Sequence, residues 1–132
     1  MHQTAPVESH NLSVDPECSP ELTAMLGSAI AVAVSDIPFD GPCATTQVGL
    51  IDGEFIINPN DTQNAVSDLK LTVASTREKV IMIEAGANEI PEETMIEAIY
   101  KAHEVNQQVI ISRPSGLLWS FKIIFLTVFF SY

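Results

Sequence analysis

Thr46-Gln47-Val48-Gly49-Leu50-Ile51-Asp52-Gly53-Glu54-Phe55-Ile56-Ile57-Asn58 decides the fold. Two runs rich in β-branched and aliphatic residues flank Asp52-Gly53, and a two-residue hairpin turn needs positive φ at its centre, where Asp-Gly is favoured. A β-hairpin is therefore expected here. Immediately downstream, Leu69, Leu71 and Val73 alternate along Leu69 to Ser75. Thr76-Arg77-Glu78-Lys79 then reads as a turn, and Val80 to Glu84 returns with Val80, Ile81, Met82 and Ile83, giving a second hairpin.

Helical signals lie on both sides. Upstream, Ser19-Pro20-Glu21 supplies a cap residue, a proline at the first helical position and an acid in the first turn. The helix it opens should run to about Ser35, and its nearly all-apolar body from Leu22 to Val34 demands burial on most sides. Ser35-Asp36-Ile37-Pro38-Phe39-Asp40-Gly41-Pro42 then forces a defined loop. Downstream, Pro91-Glu92-Glu93 opens another helix, with Met95, Ile96, Ile99, His103 and Val105 as an apolar stripe through roughly Val109. The order helix, hairpin, hairpin, helix predicts an α+β fold of antiparallel β hairpins packed on helices.

The ends differ in kind. Residues 1–18 are polar and interrupted by Pro6 and Pro16, and Met1 to Asn11 lacks the basic and apolar regions of a signal peptide. From residue 110 onward the chain becomes a hydrophobic tail; Leu117 to Phe130 is apolar except for one lysine and two hydroxyls, yet shorter than the ~20 residues of a membrane span. Four expected segments follow: a lead-in at 1–18, a helix and loop at 19–46, a β-rich unit at 47–109 and the tail at 110–132.

Charge and motifs narrow the chemistry. Seventeen acidic against six basic side chains give a formal charge of −11, a surface that repels phosphodiesters. Cys18 and Cys43 have neither CxxC spacing nor nearby histidines, so two reduced thiols are expected rather than a zinc site. Asn11-Leu12-Ser13 and Asn60-Asp61-Thr62 match the glycosylation sequon by chance. No glycine loop for nucleotides, GxSxG or HExxH occurs, and His2, His10 and His103 are scattered. Asp52, Glu54, Asp61 and Asp68 could in principle gather a hard cation, but Asp52 reads better as a turn residue and Asp68 as a strand-entry acid. Glu84 is expected to tie down a loop around Gly86. No catalytic or metal residue is assigned.

Several stretches carry a family resemblance. Met25 to Ala29 together with Val34-Ser35-Asp36-Ile37-Pro38-Phe39-Asp40-Gly41-Pro42 resembles a segment late in the first core domain of polynucleotide phosphorylases. Val48-Gly49 through Asn58-Pro59, Ser67-Asp68-Leu69 and Val80 to Ala87 follow in the matching order, and Ser13 to Glu17 fits the stretch before the helix. The motif residues are thus Asp36, Pro38, Phe39, Gly41, Pro42, Gly49, Asp52, Gly53, Asn58, Pro59, Asp68, Glu84 and Gly86. The resemblance implies a partial RNase PH-like domain from a phosphate-dependent 3′-to-5′ exoribonuclease. The complete family enzyme would be a cytoplasmic homotrimer acting on RNA and inorganic phosphate with Mg2+, and having a second core plus KH and S1 modules.

The resemblance also implies that this chain lacks the second core, which holds the phosphate and the metal, and would be inactive alone. Active cores of this type place two acids six residues apart before the strand that starts at Leu69; Asp68 fills the second place and Thr62 stands in the first. Ser75 replaces a usual glycine, and Lys70 stands where an acid is common. Two alternatives stay open at this point: a non-catalytic RNase PH-like scaffold subunit, and a small acidic membrane-tethered binding protein anchored by Leu117 to Phe130.

Overall fold

The computed structural model describes residues 7–39 and 41–111. Helix α1 (Pro20–Val34) is followed by strands β1 (Ala44–Ile51) and β2 (Glu54–Ile57), helix α2 (Asp61–Val66), strands β3 (Leu69–Ser75) and β4 (Val80–Ala87), and helix α3 (Glu92–Ile111). The four strands form one antiparallel sheet in the order β2-β1-β3-β4, as the α+β reading requires. The expected boundary between 46 and 47 falls inside β1, and the hydrophobic tail from 112 lies outside the described residues. No helix among the described residues is long and apolar enough to cross a membrane.

Both hairpins form. Asp52 and Gly53 take φ of 51° and 81°, and Ile51 pairs with Glu54 across them. Aspartate tolerates this left-handed geometry and glycine adopts it freely, which is why the pair sits at this turn. Gly53→Ala, which adds a Cβ at φ 81°, is expected to cost about 1 kcal/mol, read as a lower urea midpoint with an unchanged slope.

The core lies between α3 and one face of the sheet. Val48, Leu50, Leu69, Leu71 and Val73 project to that face and pack against Ala98 and Ala102 of α3, with Phe55, Ile57, Met95 and Ile99 around them. Complete burial of a leucine or valine side chain contributes about 1.5–3 kcal/mol. The helix stripe differs from the expected one, since Ile96 is 46% exposed while Ala98, Ala102, Asn106 and Ile110 are buried. Alanines spaced four apart let the helix axis approach the sheet closely, and a larger stripe would hold it away. Pro91 stands just before the first helical residue, its carbonyl accepting from Met95 N.

Helix α1 crosses the opposite face. Ser19 caps it, its Oγ accepting from Leu22 N at 3.4 Å. Burial on most sides is not what this chain provides: Ala29 is buried, but Leu26 is 43% exposed. The sheet covers one side of the helix, and the lead-in touches it at Ser9 Oγ, 2.6 Å from Ser28 Oγ, and at Asn11 Nδ2, which donates to Pro20 O at 3.4 Å.

Two further corrections concern local structure. Helix α2 was not expected. Asn60 and Gln63 form a reciprocal capping box, with Asn60 Oδ1 accepting from Gln63 N at 3.0 Å and Gln63 Oε1 accepting from Asn60 N at 3.0 Å. The sequence Asn-x-x-Gln carries that signal, and reading Asn60 only as part of a sequon hides it. Glu84 and Gly86 do not border a loop, because β4 continues to Ala87 and pairs Glu84 with Thr72 and Gly86 with Lys70. Glycine is tolerated there because β4 is the edge strand of the sheet among the described residues.

Candidate functional site

The motif residues fall into three groups. Asp36, Pro38, Phe39, Gly41 and Pro42 shape the α1–β1 loop. There Ser35 Oγ donates to Val32 O at 2.8 Å and accepts from Ile37 N at 3.2 Å, and Gly41, at φ 96°, donates its N–H to Phe39 O at 2.9 Å. Ile37 and Phe39 remain 47% and 43% exposed beside this turn.

The second group builds the junction between the hairpins. Asn58, at φ 51°, closes β2 onto β1, its N–H donating to Gln47 O at 2.8 Å and its Oδ1 accepting from Gln47 N at 3.0 Å. Pro59 is fully buried. Ser67 Oγ accepts from Leu50 N at 2.8 Å and lies 2.6 Å from the carbonyl oxygen of Leu69, to which it donates. Gly49 passes directly beneath, and a Cβ there would meet Ser67 Oγ at 3.0 Å and Pro59 Cγ at 3.3 Å. Glycine is required by this close approach rather than by its φ.

Asp68 follows Ser67 and is exposed. Its backbone N–H donates to Leu50 O, and its carbonyl accepts from Asn88 N, both at 2.9 Å. It therefore works through its main chain. Thr62, in the place of the paired acid, donates from Oγ1 to Asn60 Oδ1 at 2.8 Å. The resemblance implies magnesium for the complete enzyme, but these residues do not fit it: among the described residues no three His, Cys, Asp or Glu side chains gather where a cation could sit. Asp52 and Gly53 make the β1–β2 turn, and the imagined cluster of Asp52, Glu54, Asp61 and Asp68 is not assembled among the described residues. His103 lies on α3 beside Gln107 at 3.4 Å.

The third group opens onto a cleft of about 490 Å3 between α1 and the sheet. Its walls are Glu21, Leu22 and Met25 from α1, with Gln47, Lys70, Thr72, Glu84, Ala85 and Gly86 from the sheet. Lys70 Nζ lies 3.6 Å from Glu21 Oε2. Gln47 Nε2 donates to Thr72 Oγ1 at 3.3 Å, while Gln47 Oε1 is buried with no hydrogen-bond partner. The sequence singles out Glu84 and Gly86 but not Glu21, Gln47 and Thr72. Only the strand order brings those together, and hairpin signals do not state which hairpins pair. The lining thus brings two carboxylates, Glu21 and Glu84, together with the Lys70 amine and the Thr72 hydroxyl, groups able to bind and orient a polar ligand.

The comparisons agree with this architecture. Residues 41–105 match the model of the 3′ exoribonuclease family, domain 2. A polyribonucleotide nucleotidyltransferase of Lachnoclostridium phytofermentans is 79% identical over 99 residues, covering 75% of this chain and 14% of that protein. One from Anoxybacillus flavithermus is 52% identical over 104 residues, covering 79% of this chain and 15% of that protein. The chain thus spans about a seventh of the length of these relatives. Rice Rrp46, at 15% identity, superposes with a TM-score of 0.62 over 75% of this chain and 49% of its own, which shows the shared fold. None of these supports the membrane-tethered reading. Through residues 41–105 the chain belongs to the 3′ exoribonuclease family, and it carries a segment of the polyribonucleotide nucleotidyltransferase type.

Proposed function

We propose that this chain is a non-catalytic segment of a phosphate-dependent 3′-to-5′ exoribonuclease, an enzyme that shortens RNA by transferring nucleotides to inorganic phosphate. The observation that carries this is the 79% identity over 99 residues to a polyribonucleotide nucleotidyltransferase. In this reading the segment supplies one sheet-and-helix layer of the first core, while RNA, phosphate and Mg2+ are handled by parts of the complete homotrimer outside it. A cytoplasmic setting is part of the reading, supported by the free thiols of Cys18 and Cys43.

The acidic balance supports a structural rather than an RNA-gripping role. With a formal charge of −11, the chain should not hold a polyanion by counterion release. A chimera tests the proposal: the matched 99-residue segment is placed into the Lachnoclostridium phytofermentans enzyme, and release of ADP from poly(A) is followed with and without phosphate. The chimera is expected to remain active within about threefold, consistent with surface substitutions being worth only a few tenths of a kcal/mol each. The isolated chain is expected to release no ADP. A folded trimeric chimera without phosphorolysis would sink the assignment.

A further inference from the structure

We propose that the cleft between α1 and the sheet binds a small aliphatic diamine in its protonated form. Its floor is a row of three side chains crossing three strands, because Thr72 of β3 pairs directly with Gln47 of β1 on one side and with Glu84 of β4 on the other. Directly paired residues share a face, and neighbouring strands are about 4.8 Å apart, so the row spans roughly two strand spacings. Gln47 is 1% exposed, and its amide is half used: Nε2 is bonded to Thr72 Oγ1, and Oε1 has no partner. An unmet buried acceptor is stabilised by the arrival of a donor.

The charges around that acceptor select the donor. Glu21 on α1 and Glu84 on β4 face the cleft against the cation Lys70, which is already 3.6 Å from Glu21. Glu84 has no ion pair among the described residues. An ammonium group reaching Gln47 Oε1 would also sit against Glu84, where a neutral donor would leave the carboxylate uncompensated. Room exists on the β4 side of Lys70, where its cross-strand partner Gly86 contributes no side chain and a Cβ would meet nothing within 4 Å. Leu22 and Met25 offer an apolar wall to a methylene chain. The second ammonium of a diamine would then lie toward Glu21, taking the place of Lys70. An anion is disfavoured by the same carboxylates, and a bare divalent ion finds no three-ligand cluster among the described residues.

The test is calorimetric titration of the full chain with putrescine, with magnesium chloride and inorganic phosphate titrated in parallel. Saturable one-site uptake of putrescine is expected. Gln47→Leu, which keeps the shape and removes the acceptor, should weaken it about tenfold or more. Glu84→Gln, at an exposed position that does not threaten folding, should weaken it about fivefold. Unchanged affinity in Glu84→Gln would overturn the site, as would full competition by equimolar magnesium, the mark of counterion exchange. Phosphate uptake in place of putrescine would also overturn it, since it would mean that Gln47 presents its N–H groups to the cleft. The site does not depend on the exoribonuclease reading, and the chimera assay can fail while this titration succeeds.

Discussion

Asn106→Ala is expected to destabilise the chain by about 3 kcal/mol, enough to lose much of the stability of a domain this small. Asn106 is fully buried on α3 and bonds to two strands at once. Its Oδ1 accepts from Thr46 Oγ1 at 2.8 Å, while Nδ2 donates to Val73 O and to Ser75 Oγ, each at 3.0 Å. Removing the amide strands three buried polar groups in the layer between helix and sheet, each costing about 1–3 kcal/mol when unpaired, partly relieved by water entering the gap. Asn106→Asp should be little better, since a carboxylate can still accept from Thr46 but cannot donate to Val73 O, and its charge would be buried. Urea unfolding followed by far-ultraviolet circular dichroism decides the matter. A midpoint within experimental error of the parent would show that the three bonds contribute nothing net.

Gly49→Val should be almost as damaging, at about 2–3 kcal/mol, through overpacking rather than loss of contact. The Cβ alone would stand 3.0 Å from Ser67 Oγ and 3.3 Å from Pro59 Cγ. Neither neighbour can yield cheaply, because Pro59 is buried and Ser67 Oγ is fixed by Leu50 N and the Leu69 carbonyl. Gly49→Ala should fall between, and because Ser67→Gly has its own cost through the lost bonds to Leu50 and Leu69, the two are combined in a cycle in which Gly49→Ala should cost less in the Ser67→Gly background than in the parent. If Gly49→Ala costs the same in both backgrounds in the same unfolding assay, contact with the Ser67 oxygen is not what requires glycine.

Much of the sheet is legible in the amino-acid sequence. Asp52-Gly53 specifies its own turn, and the alternation of Leu69, Leu71 and Val73 identifies the buried face of β3, because both signals are local. The buried amides of Asn106 and Gln47 are not legible. Each lies in an element whose apolar neighbours set the period, and a polar residue becomes recognisable as a core member only when its partners on distant strands are known. The stripe of α3 misleads in part for a related reason: Met95 and Ile99 pack on the core as their hydrophobicity suggests, but Ile96 advertises the same and is exposed, while the fully buried contacts are made by Ala98 and Ala102, which advertise nothing. Glu21 and Glu84 meet across the cleft although 63 positions separate them, and no spacing rule reaches that far.

The strand order also orders events in time. The β1–β2 and β3–β4 hairpins are local, and such units form in about 1–10 μs, whereas the β1–β3 pairing must wait for the intervening chain through α2 to close. The knot at Gly49, Pro59 and Ser67 sits on that seam, between two parts able to assemble independently. Strain placed there is expected to slow the joining of the two hairpins, and strain at Gly53 to slow one hairpin alone, a difference that folding rates of the Gly49→Ala and Gly53→Ala variants would show. The capping box at Asn60 and Gln63 satisfies the first turn of the connection that spans this seam.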